Sequence, residues 1–196
     1  MNKIHCVLLL MFIWLVNHSQ TKLANDIYME ADPTHTAKIY KNILFKTNAD
    51  GRVNDAIIEI LTNRGYNTIS YNSLFPAIRQ YSSEEIEKVL KEKQIDMMAV
   101  VDIQSVNAPI SNNSFSAYNI GNTMIFSGGG NMVNMFFTMF LYDIGKDNPF
   151  VKINGKVFSD GLYSKRARPL TIKFFNKALN GLYKNNVITH PEKVEK

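Results

Sequence analysis

Apolar residues recur along this chain at two spacings, and each spacing predicts an element. Val53, Ala56, Ile57, Ile60 and Leu61 fall three or four apart, which is one face of a helix. Gly65 stands where a left-handed residue closes such a helix. Ser82 and Glu85 form a capping box that opens a second helix. Its stripe, Ile86, Val89 and Leu90, is expected to be buried. A third helix starts near Ser164, with Pro169 tolerated only close to its start. Ile172, Phe175, Leu179 and Leu182 make its stripe, widened by Phe174, Ala178 and Tyr183. From Thr189 the chain is polar and charged, and fraying is expected.

Between the helices the period falls toward two. Residues 38–45 and 66–71 read as strands. Residues 97–106 are apolar on both faces, as in a central strand covered on both sides. Residues 114–119 and 123–126 read as short strands about Gly121-Asn122. Residues 132–144 are the most apolar stretch after the N-terminal run. Val151, Ile153, Gly155 and Val157 then alternate with lysine and asparagine, a half-buried strand. The order is β-α-β-α-β, an antiparallel meander, then a helix. It predicts an α+β fold, a mixed sheet with helices packed mainly on one face.

The first residues carry a different pattern. Lys3 precedes the apolar run Val7 to Val16, and polar Asn17 to Thr21 follow. Charged start, short apolar core and polar exit describe a secretory signal peptide. Ten helical residues span ~15 Å, half of a bilayer core. Cleavage is expected after Ser19 or after Ala24. Residues 1–24 then form the leader and 25–196 one domain. The lone cysteine, Cys6, precedes the apolar run, so it is not placed as a lipid-bearing residue. Without it the mature chain has no thiol for disulfides, thiolate catalysis or metal. Export to the periplasm or beyond is the expected destination.

Charge adds little. The chain holds 22 Lys and Arg against 17 Asp and Glu, a net +5. That permits an anionic partner without predicting nucleic-acid binding. Past the leader only His35 and His190 remain, one near each end, and both are expected to be solvated. No metal site and no cofactor follow from this inventory. Glu84, Glu85 and Glu87 suit the first turn of their helix. Asp102 is the more interesting acid, set in a central strand on the face of Met98 and Val100; it is a candidate ligand-binding residue. Asp143 and Asp147 are expected to shape a turn. Ser127 to Asn131 is glycine-rich but lacks the Lys-Ser/Thr ending of a phosphate loop. Lys165, Arg166 and Arg168 cluster at a helix start, where the dipole disfavours cations; they are candidates for binding an anionic surface or a partner. The Met and Phe of residues 132–141 fit a core strand or the wall of an apolar groove.

Asn63-Arg64-Gly65-Tyr66, the run Lys91 to Val101, and Leu141-Tyr142-Asp143-Ile144-Gly145-Lys146 before a strand together resemble the N-terminal domain of TolB and related outer-membrane accessory lipoproteins. The likeness spans most of residues 37–183. Two features depart from it: no lipobox cysteine is present, and no β-propeller follows. The resemblance implies an envelope accessory or interaction role without catalysis, with an envelope protein or anionic envelope surface as partner. The alternative is a carrier of a lipid or other apolar ligand. An enzyme using carboxylates would need Asp102 to face a second acid in a cleft.

Overall fold

The computed structural model describes residues 20–49, 51–107, 116–120, 123–127, 133–159 and 167–191. In chain order they form β1 (Thr21–Ala24), β2 (Ile27–Ala31), β3 (Lys38–Ile39), β4 (Asn42–Thr47), α1 (Gly51–Asn63), β5 (Asn67–Ser70), α2 (Tyr71–Leu74), α3 (Ser83–Glu92), β6 (Met97–Asn107), β7 (Ser116–Ile120), β8 (Thr123–Ser127), β9 (Val133–Asp143), β10 (Val151–Ser159), α4 (Ala167–Lys184) and β11 (Ile188–Thr189). Residues 1–19 of the expected leader, the Ser127–Asn131 loop beyond Ser127, and Lys165 and Arg166 lie outside the described residues.

Seven strands form one mixed sheet in the order β1-β2-β10-β9-β6-β4-β5. β5, β4 and β6 run parallel, as their connections through α1 and α3 allow. From β6 outward through β9, β10, β2 and β1 every pair is antiparallel. The architecture is the expected α+β class. Two strands at its N-terminal side, β1 and β2, were not legible as such in the sequence. Asp26, with φ 58°, makes the turn between them; a short polar side chain tolerates that region.

The expected strand over 38–45 is two strands. Between them the Asp96 carboxylate accepts from the backbone N–H of Lys41 and of Asn42, each at 2.9 Å. The ladder is diverted there to a side chain. β3 instead pairs in parallel with β11, so Ile188 and Thr189 are held in place. Fraying is thus not seen through Thr189.

One face of the sheet is covered by the two long helices. All five α1 stripe residues are buried. From α4, Leu170, Phe174, Phe175, Ala178, Leu179 and Leu182 join the same core. Phe174 stacks on Phe137 at 4.3 Å, and Phe175 meets Phe45 edge-on at 6.4 Å. Such ring pairs add about 0.5–1.5 kcal/mol each beyond their buried area. β1 closes the far edge: Leu23 packs where Gly181 of α4 has no side chain, and a Cβ there would lie 2.8 Å from it.

Among the described residues, the other face is covered only at one corner. Leu44, Phe75 and Ile95 form a small second core under α2 and α3. The Ser82–Glu85 capping box is present as expected. The α3 stripe differs from expectation. Ile86, Val89 and Leu90 are only half-buried, because α3 rests on Phe75 and Ile95 at the sheet's edge and does not lie flat across the strands. β6 is central, yet it is covered on both sides only at its Met98 end.

Candidate functional site

β9 alternates, and its two faces have different roles. Met135, Phe137, Met139 and Leu141 are buried on the covered face. Phe136, Thr138, Phe140 and Tyr142 are half-buried on the open one. The core-strand expectation for this run holds for the first of these faces.

Strand register sorts the open face into rows. In the middle row Tyr28 of β2 stands opposite Asn154 of β10, Asn154 opposite Thr138, and Thr138 opposite Asp102 of β6. This row is polar and internally bonded. The Thr138 hydroxyl donates to Asn154 Oδ1 at 3.2 Å. Asn48 Nδ2 donates to Asp102 Oδ1, and Gln104 Nε2 reaches Asp102 Oδ2 at 3.4 Å. On one side runs Lys152, Phe140, Val100 and Lys46. On the other run Lys156, Phe136 and Gln104, with Lys156 Nζ 5.4 Å from the Phe136 ring centre. A shallow groove of about 460 Å³ lies over Tyr28, Phe136, Asn154 and Lys156. Tyr28 is 38% exposed.

Asp102 therefore lies where the sequence placed it, on a sheet face beside Met98 and Val100. Among the described residues its oxygens are engaged by the side-chain amides of Asn48 and Gln104. Arg168 is elsewhere. It opens α4 on the opposite side of the sheet, and its guanidinium donates to Glu59 of α1. Glu59 is what offsets the dipole penalty at that position. The structure does not bring Asp102 and Arg168 together.

A second concavity of about 340 Å³ lies between α3 and the sheet. Ile86 and Leu90 form its helix wall, and Met98 and Val100 its floor. Lys46 stands at its rim, with Nζ 4.6 Å from the centre of the Tyr71 ring.

The histidine expectation is corrected at His35. Its side chain is 4% exposed. The ring stacks on Phe150 at 4.1 Å, and Phe150 in turn stacks against Tyr40. Nδ1 lies 4.0 Å from Asp143, and Nε2 is buried without a hydrogen-bond partner. Burial lowers the His35 pKa and so keeps the ring neutral, against the pull of Asp143. Asp143 does more than shape its turn. Its carboxylate accepts from Tyr40 Oη at 2.7 Å and Lys38 Nζ at 2.9 Å, with Lys146 Nζ at 3.5 Å. Burial alone would raise its pKa, but these donors and charges hold it below the ordinary value. Burial and the bond to Asp143 push the Tyr40 phenol well above its usual range. The cluster pins the 32–41 segment to the end of β9. Its bonds make it a structural clasp, and Asp143 and Lys146 also line the concavity beside α3. His190 packs beside the Tyr183 ring at 4.8 Å.

No protein family and no curated protein matches this sequence. Solved bacterial structures are similar to it in outline. The PelC dodecamer from Paraburkholderia phytofirmans is 9% identical, with a TM-score of 0.45, over 77% of this chain and 95% of that one. Lipoprotein GNA1162 from Neisseria meningitidis is 10% identical, with a TM-score of 0.41, over 74% and 99%. TolB from Acinetobacter baumannii is 13% identical, with a TM-score of 0.34, over 81% of this chain and 31% of TolB. Among the described residues no helix is long and apolar enough to cross a membrane.

Proposed function

We propose that this chain is an exported, non-catalytic accessory protein of the bacterial envelope that acts through protein contacts. The observation that carries the reading is the open sheet face. Two strands, β2 and β9, present partly exposed Tyr28, Phe136, Phe140 and Tyr142 around a polar row that runs across four strands. Aromatic anchors around satisfied polar groups suit a protein interface. The Lys3 and Val7–Val16 pattern supports export. The test is site-specific photo-crosslinking in the native envelope. A crosslinker at Phe140 should give one discrete adduct that a second substitution, Tyr28→Lys, removes. The same probe at Lys184 should give none. No adduct from Phe140 overturns the reading.

The fold also supports one cleavage site over the other. A cut after Ala24 would delete β1, together with the Leu23 contact at Gly181. A cut after Ser19 leaves β1 whole, and Gln20 donating to Glu30 at 2.6 Å. Intact mass of the envelope form should match a chain beginning at Gln20; a first residue of Asn25 refutes this.

A second reading, a binding protein for an apolar ligand, is favoured by the concavity beneath α3.

A further inference from the structure

The stripe of α3 is amphipathic, yet no residue of the helix is fully buried. The helix is propped at the sheet's edge by Phe75 and Ile95, and the space left beneath it is the 340 Å³ cleft. Its walls are mostly apolar, with Ile86 and Leu90 above, Met98 and Val100 below, and Tyr71 and Tyr142 beside them. Met98 can adjust to an irregular occupant. The volume is at the low end for a ligand site, so it suits one slender apolar chain and excludes a two-chain lipid.

The rim supplies a charge. Lys46 makes no ion pair among the described residues; its ammonium rests over the Tyr71 ring at 4.6 Å. Three of the four acids of α3 are ion-paired: Glu87 with Lys91 at 2.7 Å, Glu92 with Lys88 at 4.0 Å, and Glu85 with Arg79 at 3.0 Å, while Glu84 lies in the helix's first turn. Lys146, also at the rim, is within 3.5 Å of Asp143. Asp143 also lines the cleft but is taken by Tyr40, Lys38 and Lys146, so Lys46 at the mouth has no carboxylate partner among the described residues.

We propose that the cleft binds a single long-chain fatty acid, with the acyl chain between α3 and β6 and the carboxylate at Lys46. This rests on the ligand-binding reading and not on the protein-contact one. Lys46 sets preference for an anionic head, and the mostly apolar walls set preference for a single chain.

The test uses the mature protein and dodecanoate below its micellar range, followed by calorimetry. Saturable one-to-one binding is expected. Dodecanol should bind roughly 1.5- to 5-fold more weakly, as expected for loss of one exposed ion pair. Lys46→Met should weaken dodecanoate by the same factor and leave dodecanol unchanged. Methyl NMR on the unaltered protein should place the shifts at Ile86, Leu90, Met98 and Val100, which avoids reliance on a variant that fails to fold. Equal binding of dodecanoate and dodecanol at those methyls overturns the fatty-acid assignment and leaves the apolar-ligand reading standing. Shifts elsewhere, or unsaturable uptake of both probes, overturn both.

Discussion

Replacing Gly155 with alanine puts a methyl group where the ring of Phe174 already lies. Gly155 sits on the covered face of β10, between Ile153 and Val157. A Cβ there would stand 2.5 Å from Cε2 of Phe174, 3.0 Å from its Cδ2 and 3.1 Å from Cγ1 of Ile27. Carbon contacts are comfortable at about 3.5–4.0 Å, so the ring would have to retreat by roughly 1 Å. It has little room to do so. Phe174 is fully buried, stacked at 4.3 Å on Phe137, and edge-on to Phe175 at 5.6 Å. Overpacking of this kind costs about 1–3 kcal/mol. Removing a glycine from a strand returns about 0.5–1 kcal/mol. The expected net loss is about 1–2 kcal/mol, or a fall in Tm of roughly 2–8 °C for a chain of this size. Urea denaturation followed by circular dichroism would measure it. Phe174→Leu should destabilise alone, by opening a void. Combined with Gly155→Ala it should cost less than the sum, with a coupling of about 1 kcal/mol. A neutral Gly155→Ala, or additivity within about 0.5 kcal/mol, would refute this account of how α4 meets β10.

Phe175→Ala should cost about 3–5 kcal/mol, since the ring is fully buried against Phe45 and Phe174; an unchanged melting curve would mean the helix docks elsewhere. Stability should fall as pH drops below the ordinary histidine value of about 6.5, because the unfolded chain takes up the proton that buried His35 resists. His35→Gln should flatten the urea-midpoint profile in that window. A further loss is expected below the unfolded Asp value of about 3.9, as Asp143 is protonated through its lowered folded pKa. Replacing Lys165, Arg166 and Arg168 with Gln should weaken binding to anionic vesicles in a salt-dependent way. The same change should cost under about 1 kcal/mol of stability, because the Arg168–Glu59 pair is exposed. Vesicle binding equal to that of the unaltered protein would reduce the cluster to a solvated run.

The helices were the legible part of this fold because their signals are local. The α1 stripe and the Ser82–Glu85 box each lie within a few turns of chain. β1 and β2 were not legible for the opposite reason. Ile27 and Met29 do alternate with Tyr28 and Glu30, but the strand is five residues long and follows the leader's apolar run. Its partner is β10, more than a hundred residues on. His35 was misjudged on the same ground. Its neighbours Asp32 to Thr36 are polar, and its burial is conferred by Phe150 from across the molecule. Asp102 could be placed on its face from strand parity alone. The cleft under α3 could not be foreseen, because it depends on where the helix rests and not on what its stripe contains.

The first strands of the sheet close on its last elements. Residues 27–31 pair with residues 151–155, and Leu23 meets Gly181 near the chain's end. Neither contact can form until almost the whole polypeptide has left the ribosome. Contacts this distant in sequence raise contact order and slow the final step of folding. Until then β10 has no β2 beside it, and the core under α4 is open at one side. If the chain is exported as proposed, that delay would keep the polypeptide threadable through a narrow channel, with the sheet completed only on the far side.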